Sequence, residues 1–143
     1  MKSWLVLLLS TVLLSGMGKV TAQTDGKPAA AKGKSAVAVK NIDAHEAAKL
    51  LQENQHIVVL DVRTPEEFTA GHIAGAKNID FHGPDFEKKL SALEKKQPYL
   101  VHCAAGGRSA KARELMKKLQ FQTIYHLEGG LKAWEKAGQP VVR

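Results

Sequence analysis

Only one cysteine, Cys103, stands among the 143 residues of this chain. No internal disulfide can form, so no disulfide scaffold holds the fold. A thiol oxidoreductase that works with a resolving cysteine is equally disfavoured. No His or Cys residues fall at metal-ligand spacing, so neither a metal nor another cofactor is expected. Long hydrophobic runs are lacking too: Trp4 to Leu14 is interrupted by Ser10 and Thr11 and cannot extend past Lys19. That is well short of the ~18 apolar residues of a membrane-spanning helix. No cysteine follows Leu14-Ser15-Gly16, so a bacterial lipid-anchor signal is not expected. There are no internal repeats.

Acidic residues are in deficit, 14 against 21 Lys and Arg, for a formal charge of +7. Much of the excess belongs to Lys2, Lys19, Lys27, Lys32 and Lys34, near the start of the chain. Farther on, lysines stand beside acids, as in Glu87-Lys88-Lys89 and Glu94-Lys95-Lys96. This is the pattern of solvated helix faces and not of a nucleic-acid interface. A mild positive field favouring a small anion remains.

What the first residues do contain is an export pattern. Lys2 gives a positive start, the apolar run follows, and Val20-Thr21-Ala22 offers small residues where a signal peptidase cuts. Residues 1–22 are therefore expected to be a signal peptide, and the protein periplasmic or secreted, with no membrane association after cleavage. Residues 23–35, rich in Ala, Lys, Gly and Pro without an apolar face, are expected to form a flexible leader. One folded domain then spans 36–143.

Within that span helical and strand patterns alternate. Val37 to Val39 is a first strand, and Asp43 with Glu46 has capping-box spacing before Ala44, Ala47, Ala48 and Leu51 on one helix face. Ile57 to Leu60 is a continuous apolar run, as in a parallel strand covered on both sides. Thr64-Pro65-Glu66-Glu67 starts a short helix that Gly71 ends. A small strand lies within Ile73 to Ile79, a turn at His82-Gly83-Pro84-Asp85, and a helix face at Phe86, Leu90 and Leu93. Tyr99 to His102 is the next strand. Ala112, Leu115, Met116 and Leu119 mark a helix that Ser109 is expected to cap. Thr123 to Leu127 returns as a strand, and Leu131, Trp134 and Ala137 face a last helix. The order predicts an α/β fold: a small parallel sheet of about five strands with helices on both faces.

Cys103 falls at the carboxyl end of a strand in this arrangement, where open α/β sheets form their sites. Ala104, Ala105, Gly106 and Gly107 carry no bulk, so the main chain can curl around the sulfur. The backbone amides and the N-terminus of the following helix supply fixed positive charge that favours a thiolate. Arg108 adds a permanent charge and a fork of donors suited to an oxyanion.

This loop resembles the active-site loop of rhodanese-type sulfurtransferases, a cysteine followed by a tight cradle ending in a basic residue. Leu60-Asp61-Val62-Arg63-Thr64-Pro65-Glu66-Glu67-Phe68 with Gly71-His72-Ile73-Ala74-Gly75-Ala76 is similar to the family's N-terminal signature. Leu127-Glu128-Gly129-Gly130-Leu131 with Ala133-Trp134 is similar to its C-terminal one. The signal pattern matches the exported single-domain members. The resemblance implies that Cys103 takes the outer sulfur of a small anionic donor such as thiosulfate and holds it as a persulfide. A thiol, a protein thiol or cyanide then removes it. In this picture Ala104, Ala105, Gly106, Gly107 and Ser109 contribute the backbone cradle and Arg108 orients the donor.

Two other functions are weighed. Phosphatases of related fold have a longer interval between cysteine and arginine, and so a wider ring for a tetrahedral phosphate. Here only Ala104 to Gly107 intervene, which disfavours them. A persulfide carrier or partner-binding module without catalysis is the second. The resemblance implies that Asp61 and Arg63 help to order the pocket, whereas the expected reading is structural, an ion pair of Asp61 or Glu67 with Arg63 that pins strand to helix. His72 is expected to be packed or solvated and not a base, Trp134 and Phe68 to be core, and Ser109 to add a hydrogen bond to the sulfur.

Overall fold

A computed structural model describes residues 36–143. The expected signal peptide and leader, residues 1–35, lie outside the described residues. Ten elements follow in order: β1 (Ala38–Ile42), α1 (Ala44–Glu53), β2 (Val58–Asp61), α2 (Pro65–Ala70), β3 (Lys77–Asn78), α3 (Phe86–Ser91), β4 (Pro98–His102), α4 (Gly107–Lys118), β5 (Thr123–Leu127) and α5 (Gly130–Lys136). The five strands form one sheet in the order β1-β5-β4-β2-β3, every neighbouring pair parallel.

The expected helix starts are in place. The Asp43 carboxylate accepts the amides of His45 and Glu46 at 2.8 and 2.9 Å, and Glu46 returns to the Asp43 amide at 3.3 Å. Thr64 and Glu67 form the same reciprocal box, with Pro65 in the first turn. Each box satisfies amides that have no partner inside the helix.

Side chains alternate across the central strands, and two cores result. Tyr99 and Val101 of β4 face a cluster with Phe86 and Leu90 of α3 and Ala112 and Met116 of α4. Leu100 faces the opposite cluster with Ala47 of α1 and Leu131 and Trp134 of α5. Tyr99, Leu100 and Val101 of β4 are all buried, which explains their unbroken apolar reading, and His102 after them is buried too.

Three expectations need correction. Helix α4 begins at Gly107 with Gly106 as its cap, so Ser109 sits inside the first turn, completely buried, and does not cap the helix. Gly106 takes a backbone φ of 101°, which a side chain rarely adopts, and this tight entry starts the helix three residues sooner. Phe68 is only half-buried, its ring stacked on His72 with centroids 3.8 Å apart. Leu93 lies past the end of α3, half-buried against the core. His72 is packed as expected: its Nδ1 lies 2.9 Å from the Phe68 carbonyl, and its backbone exchanges hydrogen bonds with Val142.

Candidate active site

The loop after β4 lies between the ends of β2 and β5, the strands on either side of it. Cys103 is 2% exposed, on the floor of the loop, while Ala105 and Gly107 form an exposed rim. Its Sγ accepts the Gly106 amide at 3.1 Å and the Ser109 hydroxyl at 3.4 Å. Burial pushes the thiol up. The Ser109 hydroxyl and the amides of Ser109, Ala105 and Gly106 pull it down, and they prevail, leaving it below the ordinary value of 9.0. The ring therefore favours a negative charge at the sulfur.

The loop faces its amides inward because its carbonyls are held from outside. The first amides of α5 bind them: Leu131 donates to the Cys103 carbonyl at 2.8 Å and Lys132 to that of Ala104 at 3.0 Å. Gly130 makes this possible. A Cβ there would overlap the Cys103 carbonyl oxygen and lie 2.8 Å from the Ala104 carbonyl carbon. Gly130, the first residue of α5, is thus a packing requirement of the cysteine loop, whereas a Cβ on Gly129 would meet Ala133 of α5 itself.

Arg108 pairs with Glu67 and also feels the Cys103 sulfur, both of which raise its proton affinity. Its Nη1 and Nη2 donate to the two carboxylate oxygens of Glu67 at 2.7 and 2.8 Å. That fork holds the Glu67 carboxyl at about 2, with the Arg108 hydrogen bond the largest cause. Glu67 therefore has two tasks, capping α2 and anchoring the loop arginine. Its spacing revealed the first; the second joins residues far apart in sequence and left no local sign.

Asp61 and Arg63 form the expected ion pair, buried at 0% and 5% exposure. Arg63 Nη2 reaches Asp61 at 2.6 Å and the Gly71 carbonyl at 2.8 Å, tying the end of β2 to the end of α2. Asn78 binds the carbonyls of both residues. Neither charged group touches the sulfur, so the pair braces the scaffold beside the loop. Glu67, the other partner considered for Arg63, belongs to Arg108 instead.

Two buried histidines complete the surroundings, and neither was singled out as a site residue. His102 is fully buried; its Nδ1 lies 3.2 Å from the Cys103 carbonyl, and burial lowers its proton affinity. His126 of β5 places Nε2 3.0 Å from the Ser109 hydroxyl. His102 ends the apolar run of β4 and His126 stands between Tyr125 and Leu127 of β5, so each reads as part of a strand and its placement leaves no local sign. Among the described residues no cluster of His, Cys, Asp and Glu is arranged to hold a metal ion.

Residues 43–137 match the family described as rhodanese-like domain. The chloroplastic thiosulfate sulfurtransferase 16 of Arabidopsis thaliana is 37% identical over 91 residues, covering 57% of this chain and 76% of that one. A sulfurtransferase of Allochromatium vinosum is 27% identical over 104 residues, covering 73% and 95%. Among solved structures, a rhodanese-related protein from Thermoplasma volcanium superimposes with a TM-score of 0.63 at 38% identity, covering 72% of this chain and 97% of that one.

Proposed function

Since the chain belongs to the rhodanese-like domain family, we propose that it is a sulfurtransferase in which Cys103 carries the sulfur as a persulfide. The observation that carries this reading is the Cys103 sulfur on the loop floor, accepting the Gly106 amide at 3.1 Å and the Ser109 hydroxyl at 3.4 Å, with the amides of Ala105 and Ser109 also favouring its anion. In the first half-reaction the Cys103 thiolate attacks the outer sulfur of thiosulfate. A new S–S bond forms, the donor's S–S bond breaks, and sulfite departs with the electron pair. In the second, a thiolate or cyanide attacks the terminal sulfur and the Cys103 thiolate leaves. No net redox change is required, and the inward amides stabilise the anion present before and after each step.

A sulfur at the floor of a narrow loop suits a donor that presents a single terminal atom. The short interval from Cys103 to Arg108 argues against phosphate, as before. The Arg108–Glu67 fork supports a second reading, a carrier loaded from protein persulfides, because the one guanidinium of the loop is already neutralised. The export pattern of residues 1–22 supports a periplasmic or secreted setting, with small thiols, a protein thiol or cyanide as acceptor.

The test is turnover: thiosulfate and cyanide should yield thiocyanate with the wild type and none with Cys103→Ser. Persulfide formation without release to cyanide or small thiols supports the carrier instead. Hydrolysis of an aryl phosphate by the wild type overturns both.

A further inference from the structure

Ser109 has one hydroxyl proton and three neighbours: the Gly106 carbonyl at 3.0 Å, His126 Nε2 at 3.0 Å and Cys103 Sγ at 3.4 Å. Which of them receives it decides whether the sulfur gains a side-chain donor. We infer that His126 is a positioning residue: its Nε2–H donates to the Ser109 oxygen and thereby directs the Ser109 proton onto the Cys103 sulfur. The inference rests on Cys103 as the sulfur carrier and adds a residue that acts through Ser109.

The geometry distinguishes the two forms of the imidazole. A bare Nε2 lone pair would draw the Ser109 proton to itself and away from the sulfur. The other nitrogen settles which form is present. His126 is 6% exposed, and its Nδ1 is buried with no hydrogen-bond partner among the described residues. An unpartnered N–H in that position is rarer and less tolerable than an unpartnered lone pair, so the proton belongs on Nε2. The Gly106 carbonyl already accepts the Ala110 amide at 2.9 Å, as an α4 acceptor. An anionic sulfur is then the strongest acceptor open to Ser109.

The groups around the imidazole keep it to a single N–H. Burial and then Arg113 of α4 lower its proton affinity; the Gly106 backbone and Glu128 oppose them without prevailing. Arg113 is itself fixed by Asn41 of β1 at 2.6 Å, so that positive charge stays in place.

The experiment titrates the thiol directly by thiolate absorbance, which one cysteine makes unambiguous. His126→Leu and Ser109→Ala should each raise the midpoint by about one pH unit. The double variant should rise no further, and His126→Gln, which returns an amide N–H, should restore most of the shift. A folded His126→Leu that titrates like the wild type overturns the inference, as does a double variant showing the sum of two shifts. Should His126→Leu fail to fold, the imidazole nitrogen NMR shifts of the unaltered protein decide: a protonated Nε2 and bare Nδ1 are expected, and the reverse overturns it. These readings need no sulfur transfer, so they can fail while Cys103 still forms a persulfide, and the converse also holds.

Discussion

Arg108, the last residue of the cysteine ring before Ser109, gives two nitrogens to Glu67, at 2.7 and 2.8 Å. The contact spans 41 positions of sequence and fastens the loop to the first turn of α2. It also neutralises the charge best placed to meet an anionic donor.

Glu67→Gln should therefore shift donor preference. With the carboxylate gone, Arg108 presents its full charge, and KM for thiosulfate is expected to fall by about threefold to tenfold relative to an uncharged persulfide donor. Steady-state kinetics with both donors measures the ratio; an unchanged ratio speaks against the neutralising role.

The same pair has a pH signature. The folded Glu67 carboxyl is depressed to about 2 from an ordinary 4.5. A depressed carboxyl contributes stability that is present above the unfolded value and is lost as pH falls toward the folded one. Thermal midpoints of the wild type should decline between pH 4.5 and about 2 more than those of Glu67→Gln. The pair is partly solvent-screened, so the difference between the two curves should be small.

Asp61→Asn leaves Arg63 buried without its counter-charge, and the expected destabilisation is about 3–5 kcal/mol by urea denaturation. A loss below about 1 kcal/mol would contradict the bracing role given to this pair.

Gly130→Ala and Gly75→Ala separate backbone strain from site geometry. Both glycines have positive φ, 59° and 75°. A Cβ at Gly75 meets nothing within 4 Å, whereas one at Gly130 overlaps the backbone of Cys103 and Ala104. The Gly75 variant should lose about 1 kcal/mol of stability and keep its activity. The Gly130 variant should raise the Cys103 thiol's titration midpoint and lose most turnover, because the loop carbonyls can no longer reach Leu131 and Lys132. Equal effects on turnover would contradict the account of α5.

Local chemistry made much of this legible in sequence. Asp43 with Glu46, and Thr64 with Glu67, announce their helices because a capping box is a short-range pattern. The apolar runs at Val59 and Leu100 announce central strands because both faces are covered. The amide ring was legible from the small residues after Cys103. Long-range pairings left no such mark: Glu67 with Arg108, Gly130 under Cys103, and His126 against Ser109 are each produced by the parallel crossovers. Ser109 was misplaced as a cap because Gly106 starts α4 with a positive φ, which no polar cap residue signals.

The central claim is that Cys103 holds a transferable sulfur, and intact-mass measurement tests it most directly. Incubation with thiosulfate or a persulfide donor should add the mass of one sulfur atom to the wild type. Cyanide should then remove it, and Cys103→Ser should show neither change. A wild-type mass that no donor alters, or an added sulfur that persists in Cys103→Ser, would contradict the account.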